Sequence, residues 1–120
     1  MKIVIITGEE SGDVLGASLV DALKKTSIGE FELYGIGGSL LLKRGIQNYH
    51  HINVISVMGI VEVIPKILKI RRIINNVTQA VLELKPDIVI TIDSPDFTLR
   101  VAKKIKSNNP KIKILHYVAP

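Results

Sequence analysis

Two carboxylates stand three positions apart in the segment TIDSPDFTL, residues 91–99, which follows the apolar run DIVI. Asp93 stands at the end of the apolar strand that this run begins. A side chain at the end of a buried strand faces the crevice where parallel sheets bind ligands. A carboxylate in such a crevice is a suitable general base for a hydroxyl group. A strand-end aspartate can also simply accept hydrogen bonds from loop amides. The residues alone leave both roles open for Asp93.

Asp96 stands in a different position, because Pro95 suits the first residue of a helix and places Asp96 in its first turn. An acid there stabilises the helix by about 0.3–1 kcal/mol. Helix initiation is therefore the simpler expectation for Asp96, and contact with a substrate is the alternative.

The second candidate site is a glycine-rich loop, TGEESGDVLG at residues 7–16. Its glycines, Gly8, Gly12 and Gly16, have the spacing G-x3-G-x3-G. Glycines at this spacing allow close backbone approach and leave amides free at a helix start, where an anion is favoured. The spacing matches neither GxGxxG nor GxxxxGKS/T, which excludes a dinucleotide fingerprint and a Walker loop. A tight turn with close helix packing is the alternative.

Three polar residues of the same loop add to the candidate site. Glu9 lies at the lip of the expected crevice, where its carboxylate either binds sugar hydroxyls or is simply solvated. Ser11 and Asp13 are expected to cap the helix by accepting a hydrogen bond from a backbone amide.

The elements that position these residues alternate, and the first half of the chain reads as strand, helix, strand, helix. KIVII, residues 2–6, is rich in β-branched residues, as expected of a central strand buried on both faces. A helix follows and ends near Lys24, FELYGIGG at residues 31–38 is a second strand, and SLLLKRG at 39–45 is a short helix that glycine terminates. Residues 46–56 give no clear pattern. The first helix should bury Leu15, Leu19, Ala22 and Leu23.

The second half repeats the alternation. A long helix is predicted after Pro65, and PDIVITID at residues 86–93 is a third strand. A further helix begins at Pro95, and KIKILHYV at residues 111–118 is the last strand. The long helix should bury Ile67, Ile70, Ile74, Val77, Val81 and Leu84, opposite Lys69, Arg72, Asn76 and Glu83. The last helix should bury Phe97, Val101 and Ile105.

Strands that alternate with helices predict an α/β fold, a doubly wound parallel sheet with helices on both faces. The chain of 120 residues is the size of one domain. Ligands of such sheets bind beyond the carboxyl ends of the strands. The functional residues should therefore lie in the loops TGEESGD, GIGGS and DSPDF and in the terminal VAP, and Gly37 and Gly38 belong to the second of these.

The charge balance indicates an anionic partner, since 16 Lys and Arg against 11 Asp and Glu give a formal net charge of +5. Nucleic acid is disfavoured, because only 4% of the residues are aromatic and no groove-reading motif is present. The absence of cysteine excludes disulfides and thiolate chemistry. No metal site is expected, because His50 and His51 are adjacent without further ligands, and His116 is expected to be a hydrogen-bonded core residue.

A third candidate surface lies in VMGIVEVIPKILKIRR, residues 57–72. Its apolar residues exceed what one core-facing stripe needs, and cations stand beside them. A lipid surface selects this composition, and an ordinary amphipathic helix with a basic solvent face is the alternative. The residues assigned to this membrane or acyl-chain patch are Met58, Ile60, Val61, Ile64, Leu68, Lys69 and Arg72.

Read together and in order, five motifs resemble the lipid-A-disaccharide synthase family, specifically the N-terminal half of its members. The motifs are GEESGDVLGASLVDALK (8–24), GIGGSLLLKRG (35–45), VMGIVEVIPKI (57–67), KPDIVITIDSPDFTL (85–99) and HYVAP (116–120). They cover nearly the whole chain, and five ordered motifs are much more specific than any one of them.

The resemblance implies a glycosyltransferase of the B-type architecture, in which two Rossmann-like domains face a cleft. Such enzymes transfer 2,3-diacylglucosamine from UDP to 2,3-diacylglucosamine 1-phosphate (lipid X), forming a β-1,6-linked disaccharide and releasing UDP. They need no metal or cofactor. They are cytoplasmic and peripheral to the inner membrane of Gram-negative bacteria, whose anionic surface is then a partner.

By the same resemblance Asp93 is the base for the acceptor hydroxyl, and Glu9 and Ser11 line the same cleft. The full set assigned to substrate binding is Gly8, Glu9, Ser11, Gly12, Gly37, Gly38 and Asp96. The chain departs from the family pattern at Glu10, Ser94, Thr98 and Ala119, where a small residue, Ala, Asn and Ser are common. Members of the family continue with a second domain, so residues 1–120 are expected to be an acceptor-side fragment that lacks the UDP-binding domain and has no turnover alone.

Two other classes stay open at this stage. A stand-alone flavodoxin-like module would hold a phosphorylated ligand at TGEESGD without catalysis. A nucleic-acid-binding domain is supported only by the sequence pI of about 9.6.

Overall fold

Five parallel strands form a single sheet in the computed structural model, which describes residues 1–26, 29–51 and 66–118. The order across the sheet is β3-β2-β1-β4-β5, and every neighbouring pair is parallel. The chain winds from β1 first to one side and then to the other, so the predicted doubly wound α/β fold is confirmed. The strands are β1 (Lys2–Thr7), β2 (Glu32–Gly37), β3 (Gln47–His51), β4 (Ile88–Ile92) and β5 (Lys113–Tyr117).

Four described helices cover the two faces of the sheet. They are α1 (Glu10–Lys24), α2 (Ser39–Lys43), α3 (Lys66–Leu84) and α4 (Pro95–Asn108). One core cluster joins α1 and α2 to the sheet through Val20, Leu41, Ile5 and Ile90. The other joins α3 and α4 to the opposite face through Val77, Val101, Val4 and Val89. Because β1 carries residues of both clusters, it is buried on both faces, as its composition predicts.

Helix α1 buries a different line of residues from the predicted one. Its leucines at 15, 19 and 23 are only half-buried and Ala22 is exposed, whereas Gly16, Ala17 and Val20 are fully buried. A Cβ on Gly16 would lie 3.1 Å from Leu41 and 3.2 Å from Ile92. The small residues therefore face the sheet, because they let the helix axis approach it more closely than leucines would.

The structure differs from the sequence predictions in two further places, strand β3 and the first turn of α3. Strand β3 lies inside the segment that gave no pattern, because QNYHH has little of the apolar character by which buried strands are recognised. In α3 the predicted stripe holds for Ile74, Val77 and Val81, but Ile67 is 58% exposed. The first turn of α3 therefore extends beyond the core that the rest of the helix covers.

Candidate active site

Three loops meet at the carboxyl edge of the sheet because β2, β1 and β4 are neighbours. The last strand pairs are Ile6 with Ile36 and Thr7 with Ile92, so the loops leave the sheet side by side. The first loop carries Gly8 and Glu9, the second carries Gly37 and Gly38, and the third carries Asp93 and Ser94. The residues that sequence analysis selected from three separate motifs are therefore brought to one edge.

Asp93 and Ser94 both have left-handed backbone conformations, with φ of +47° and +42°. This conformation costs a residue other than glycine about 1–2 kcal/mol, although aspartate tolerates it better than most. The Asp93 amide donates a hydrogen bond to the Tyr117 carbonyl at 3.1 Å, and Asp93 is half-buried. Strained backbone that the surrounding structure maintains is concentrated at functional sites, so this conformation favours a functional role for Asp93.

Helix α4 begins as the sequence predicts. Pro95 is its first residue and the exposed Asp96 lies in its first turn. Ser94 precedes the helix, yet its side chain makes no capping bond, and within the described residues its buried hydroxyl has no hydrogen-bond partner.

Gly8 is the point where the first and third loops touch. A Cβ built on Gly8 would lie 2.8 Å from both Cβ and Oγ of Ser94, closer than any side chain can stand. The first loop therefore rests directly on the strained turn that carries Asp93, and glycine is required at this contact for steric reasons.

We expect Gly8→Ala to destabilise the fold by about 1–3 kcal/mol, because the added methyl group overlaps atoms next to the backbone rather than a flexible side-chain end. Urea denaturation of the chain measures the change. Adding Ser94→Gly should restore most of the loss, since it removes the overlapping atoms and accepts a positive φ. Wild-type stability for Gly8→Ala, or no recovery in the double variant, would contradict the contact.

Asp13 does not cap α1, which corrects the expectation from sequence. Glu9 is the N-cap residue of α1 and no side chain caps this helix; Ser11 is exposed in its first turn. Asp13 is instead 5% exposed and accepts bonds from the amides of Gly38 (2.8 Å), Leu40 (3.0 Å) and Leu41 (3.1 Å). Its carboxylate therefore satisfies the amino end of the neighbouring helix α2.

Two more polar side chains hold the second loop. The Asn48 side chain accepts a bond from the Gly37 amide at 2.9 Å and donates one to the Gly37 carbonyl at 3.0 Å. The Thr7 hydroxyl donates to the Ile36 carbonyl at 3.1 Å. Because the amides of Gly37 and Gly38 already have side-chain acceptors, these glycines can border a ligand but do not offer it free donors.

The first loop differs because the start of α1 has no side-chain cap. Glu9 and Ser11 are exposed at the carboxyl edge, where Ser11 could donate or accept and Glu9 could accept. Gly12 is buried, and a Cβ there would lie 3.0 Å from Thr7 and 3.5 Å from the Ile92 carbonyl. The geometry thus supports close packing for Gly12 and solvent or ligand contact for Glu9 and Ser11.

His116 lies on β5, and His50 lies on β3. His116 shares a 2.7 Å hydrogen bond through Nδ1 with the hydroxyl of the fully buried Thr91 on the adjacent strand, as predicted, but it is half-buried rather than part of the core. Within residues 1–26, 29–51 and 66–118, no three His, Asp or Glu side chains gather at metal-binding distance. Cavities of about 540 and 470 Å³ lie beside the first residues of β2 and β3, and neither includes a residue of the three carboxyl-edge loops.

Comparison with known proteins decides the family. The sequence profile described as lipid-A-disaccharide synthetase matches residues 3–120. The chain belongs to the lipid-A-disaccharide synthase family. The synthase of Ruegeria pomeroyi is 42% identical over 120 residues, which are 100% of this chain and 29% of that protein. The synthase of Rickettsia bellii is 42% identical over an alignment of 120 positions that covers 99% of this chain and 31% of that protein.

The likeness to solved structures concerns the fold. The UDP-GlcNAc 2-epimerase of Neisseria meningitidis matches with a TM-score of 0.63 at 16% identity, covering 97% of this chain and 31% of that one. The epimerase of Methanocaldococcus jannaschii matches with a TM-score of 0.63 at 17% identity, covering 97% and 32%. The synthase-family chain therefore has the same Rossmann-like architecture as one part of these larger proteins, and it spans about 30% of the curated relatives that it matches.

Sequence reasoning missed three residues of this synthase-family site. Asn48 and Thr7 have no motif of their own, and their bonds to the second loop link elements 11 and 29 residues apart. Asp13 was noticed but assigned to the wrong helix. The available signal for Asp13 was its place beside Gly12 in the first turn of α1, because close glycine packing there would bury a carboxylate that then needs several donors.

Proposed function

We propose that this chain is the acceptor-side domain of a larger lipid-A-disaccharide synthase. The complete enzyme would join UDP-2,3-diacylglucosamine to lipid X, forming the β-1,6-linked lipid A disaccharide 1-phosphate and releasing UDP. The observation that carries the proposal is the placement of Asp93: a half-buried carboxylate on a strained turn, at the carboxyl edge of a sheet of this family. Binding sites of doubly wound sheets lie at that edge.

In the proposed reaction Asp93 removes the proton from the attacking hydroxyl of lipid X. The hydroxyl oxygen forms a bond to the anomeric carbon of the donor sugar, with inversion, while the bond from that carbon to UDP breaks and UDP leaves with the electron pair. Asp93 ends protonated and returns its proton to solvent. General-base assistance of this kind contributes about 10²–10⁴-fold to a rate.

The other carboxyl-edge residues would bind the acceptor around this base. Glu9 and Ser11, both exposed, would hydrogen-bond sugar hydroxyls, and Asp96 stands one helical turn from Asp93 on the same edge. Gly8 and Gly12 would bring the backbone close, and Gly37 and Gly38 would form a wall whose shape Asp13 and Asn48 fix. No cofactor or metal takes part in this proposal.

Because the chain spans 29–31% of its relatives, the UDP-binding domain is proposed to lie outside residues 1–120. The test is an assay of the full-length protein for disaccharide formation from UDP-2,3-diacylglucosamine and lipid X. We expect product and equimolar UDP only when both substrates are present, and no turnover by residues 1–120 alone. UDP release without lipid X, or tight mononucleotide binding by residues 1–120 without transfer, would contradict the proposal.

The proposed membrane surface can be followed partly in the structure. Met58, Ile60, Val61 and Ile64 lie outside the described residues, whereas Leu68 and Arg72 are exposed and Lys69 is half-buried on α3. A contact between Lys104 and Asn75 sets the register of the parallel helices α3 and α4, so Leu99 and Arg100 stand level with the first turns of α3. Within the described residues no helix is long and apolar enough to cross a bilayer.

We define the α3–α4 edge surface as the exposed residues Ile67, Leu68, Arg71, Arg72, Leu99 and Arg100. It combines apolar side chains with cations and borders the carboxyl edge, where acyl chains of the substrates must arrive. We propose that this surface rests on the anionic, cytoplasmic side of the inner membrane.

Leu99→Ser should weaken binding of the full-length protein to phosphatidylglycerol-containing vesicles by about five- to tenfold, because a leucine side chain is no longer buried in lipid. Cosedimentation with vesicles measures the partition. Leu42→Ser is the matched control, since Leu42 on α2 is 44% exposed against 45% for Leu99 but lies over the opposite face of the sheet. Equal losses for the two variants would contradict the assigned surface.

A further inference from the structure

Thr98 makes an uncommon side-chain bond at the start of α4. It is fully buried, and its hydroxyl lies 2.7 Å from the Asp93 carbonyl oxygen and 3.2 Å from that of Ser94. A helical threonine commonly bonds the carbonyl three or four residues earlier. Here the shorter bond reaches five residues back, beyond the helix, to the carbonyl of Asp93, the residue that follows β4.

The helix does not need this bond to begin. The amides of Phe97 and Thr98 already donate to the Ser94 carbonyl at 3.0 and 2.9 Å, which closes the first turn through the main chain. What the hydroxyl adds is a restraint on Asp93. The Asp93 amide is held by the Tyr117 carbonyl of β5, and its carbonyl is held by Thr98, so the residue is fixed on both sides.

This restraint matters because Asp93 and Ser94 are consecutive non-glycine residues in a left-handed conformation. Such a pair persists only where its surroundings over-determine it. A rotation of the Asp93 backbone would change the direction in which its side chain leaves the turn. The direction of the side chain therefore depends on the bonds that hold its own main chain.

We propose that Thr98 is a positioning residue for the reaction: its hydroxyl keeps the left-handed turn at Asp93 and thereby aims the carboxylate at the acceptor. The inference rests on the proposed function, in which Asp93 is the base.

The structure offers a matched pair of substitutions for the test. Thr98→Val removes only the hydroxyl, and Thr78→Val does the same at a threonine of α3 that is 4% exposed and whose hydroxyl has no partner among the described residues. In the full-length enzyme we expect Thr98→Val to lower kcat about 10- to 100-fold, with the KM values for both substrates within about twofold. Thr78→Val should leave kcat unchanged, and Thr98→Ser should restore it.

Amide hydrogen exchange gives a readout that does not depend on activity. Exchange at Asp93 and Ser94 should be faster in Thr98→Val and unchanged in Thr78→Val. If Thr98→Val fails to fold, the comparison of Thr98→Ser with Thr98→Ala isolates the same hydroxyl, and kcat should fall only in the alanine variant.

Asp93→Asn, measured in the same series, separates the two levels of the proposal. Full activity of Asp93→Asn would overturn the proposed role of Asp93 as the base, and the role of Thr98 with it. An inactive Asp93→Asn together with wild-type kcat for Thr98→Val would overturn only the role of Thr98. Equal effects of Thr98→Val and Thr78→Val would also overturn it, because a general packing loss would then explain both.

Discussion

Asp93→Asn in the full-length synthase is expected to lower kcat by about 10²–10⁴-fold while leaving the fold intact. Asparagine keeps the size and the left-handed tolerance of aspartate, so the turn at residues 93–94 should survive. It cannot accept the proton that the attacking hydroxyl must lose. The effect should therefore appear in kcat, with substrate KM values changed much less.

Asp87→Asn is the matched control for this measurement. Asp87 precedes β4 and Asp93 follows it, so the two acids stand at opposite ends of one strand. The exposed Asp87 accepts a 2.7 Å bond from the Lys2 amide, away from the carboxyl edge. Its substitution should leave steady-state kinetics unchanged. Near-normal turnover of Asp93→Asn, or an equal loss for Asp87→Asn, would remove Asp93 from the mechanism.

The second large effect is on stability: Asp13→Ala should lower the free energy of unfolding by about 3–5 kcal/mol. The substitution leaves the buried Gly38 and Leu41 amides and the half-buried Leu40 amide without their acceptor, and each unsatisfied group costs about 1–3 kcal/mol. It also removes the negative charge that complements the amino end of α2. Domains of this kind unfold with about 5–15 kcal/mol, so the loss is a large fraction of the total.

Urea denaturation followed by circular dichroism measures this loss, and Asp21→Ala provides the comparison. Asp21 also joins α1 to α2, through two bonds of 2.9 and 3.0 Å to Arg44, but on the exposed surface. The Arg44 hydrogen bonds hold the pKa of Asp21 below its ordinary value, so its contribution is present at neutral pH and is lost as pH falls through that lowered pKa. Solvent screens this pair, and its removal should cost much less. Equal losses for the two variants would contradict the buried role of Asp13.

These predictions show which parts of the molecule sequence reasoning reaches. The central strand, the proline that starts α4 and the acid in its first turn follow from local chemistry, because burial on both faces and fixed proline geometry leave few alternatives. Strand β3 was not predicted because its residues are polar. It forms a strand through its pairing with β2, which its composition does not indicate. The order of strands and helices nevertheless predicted which loops lie at the carboxyl edge, because these loops follow β1, β2 and β4.

The internal support of the site was not predictable in the same way. Asp13, Asn48 and Thr98 act through main-chain groups, and nothing in a side-chain pattern reveals which carbonyl or amide will face them. The left-handed backbone conformation at Asp93 is uncommon for residues other than glycine, so sequence does not predict it. Sequence selected Asp93 as the candidate base, and only the structure shows the bonds that hold its main chain.

At the carboxyl edge, the second loop is held by side-chain hydrogen bonds, whereas the first loop carries exposed side chains. The second loop is fixed by side chains of three elements, including Asp13 and Asn48, whereas the first loop presents Glu9, Ser11 and an uncapped helix start. Ser94, the residue that follows Asp93, lies against Gly8 of this first loop. In the proposed reaction the acceptor sugar would bind between the fixed second loop and the exposed residues of the first loop.

The most direct test is the structure of the full-length protein with lipid X bound. The account predicts that the hydroxyl oxygen that becomes glycosylated lies about 2.6–3.2 Å from a carboxylate oxygen of Asp93, with the sugar between Asp93 and the first loop. An acceptor bound with that hydroxyl out of reach of Asp93, or a carboxylate turned inward onto loop amides with no room for a saccharide, would contradict it.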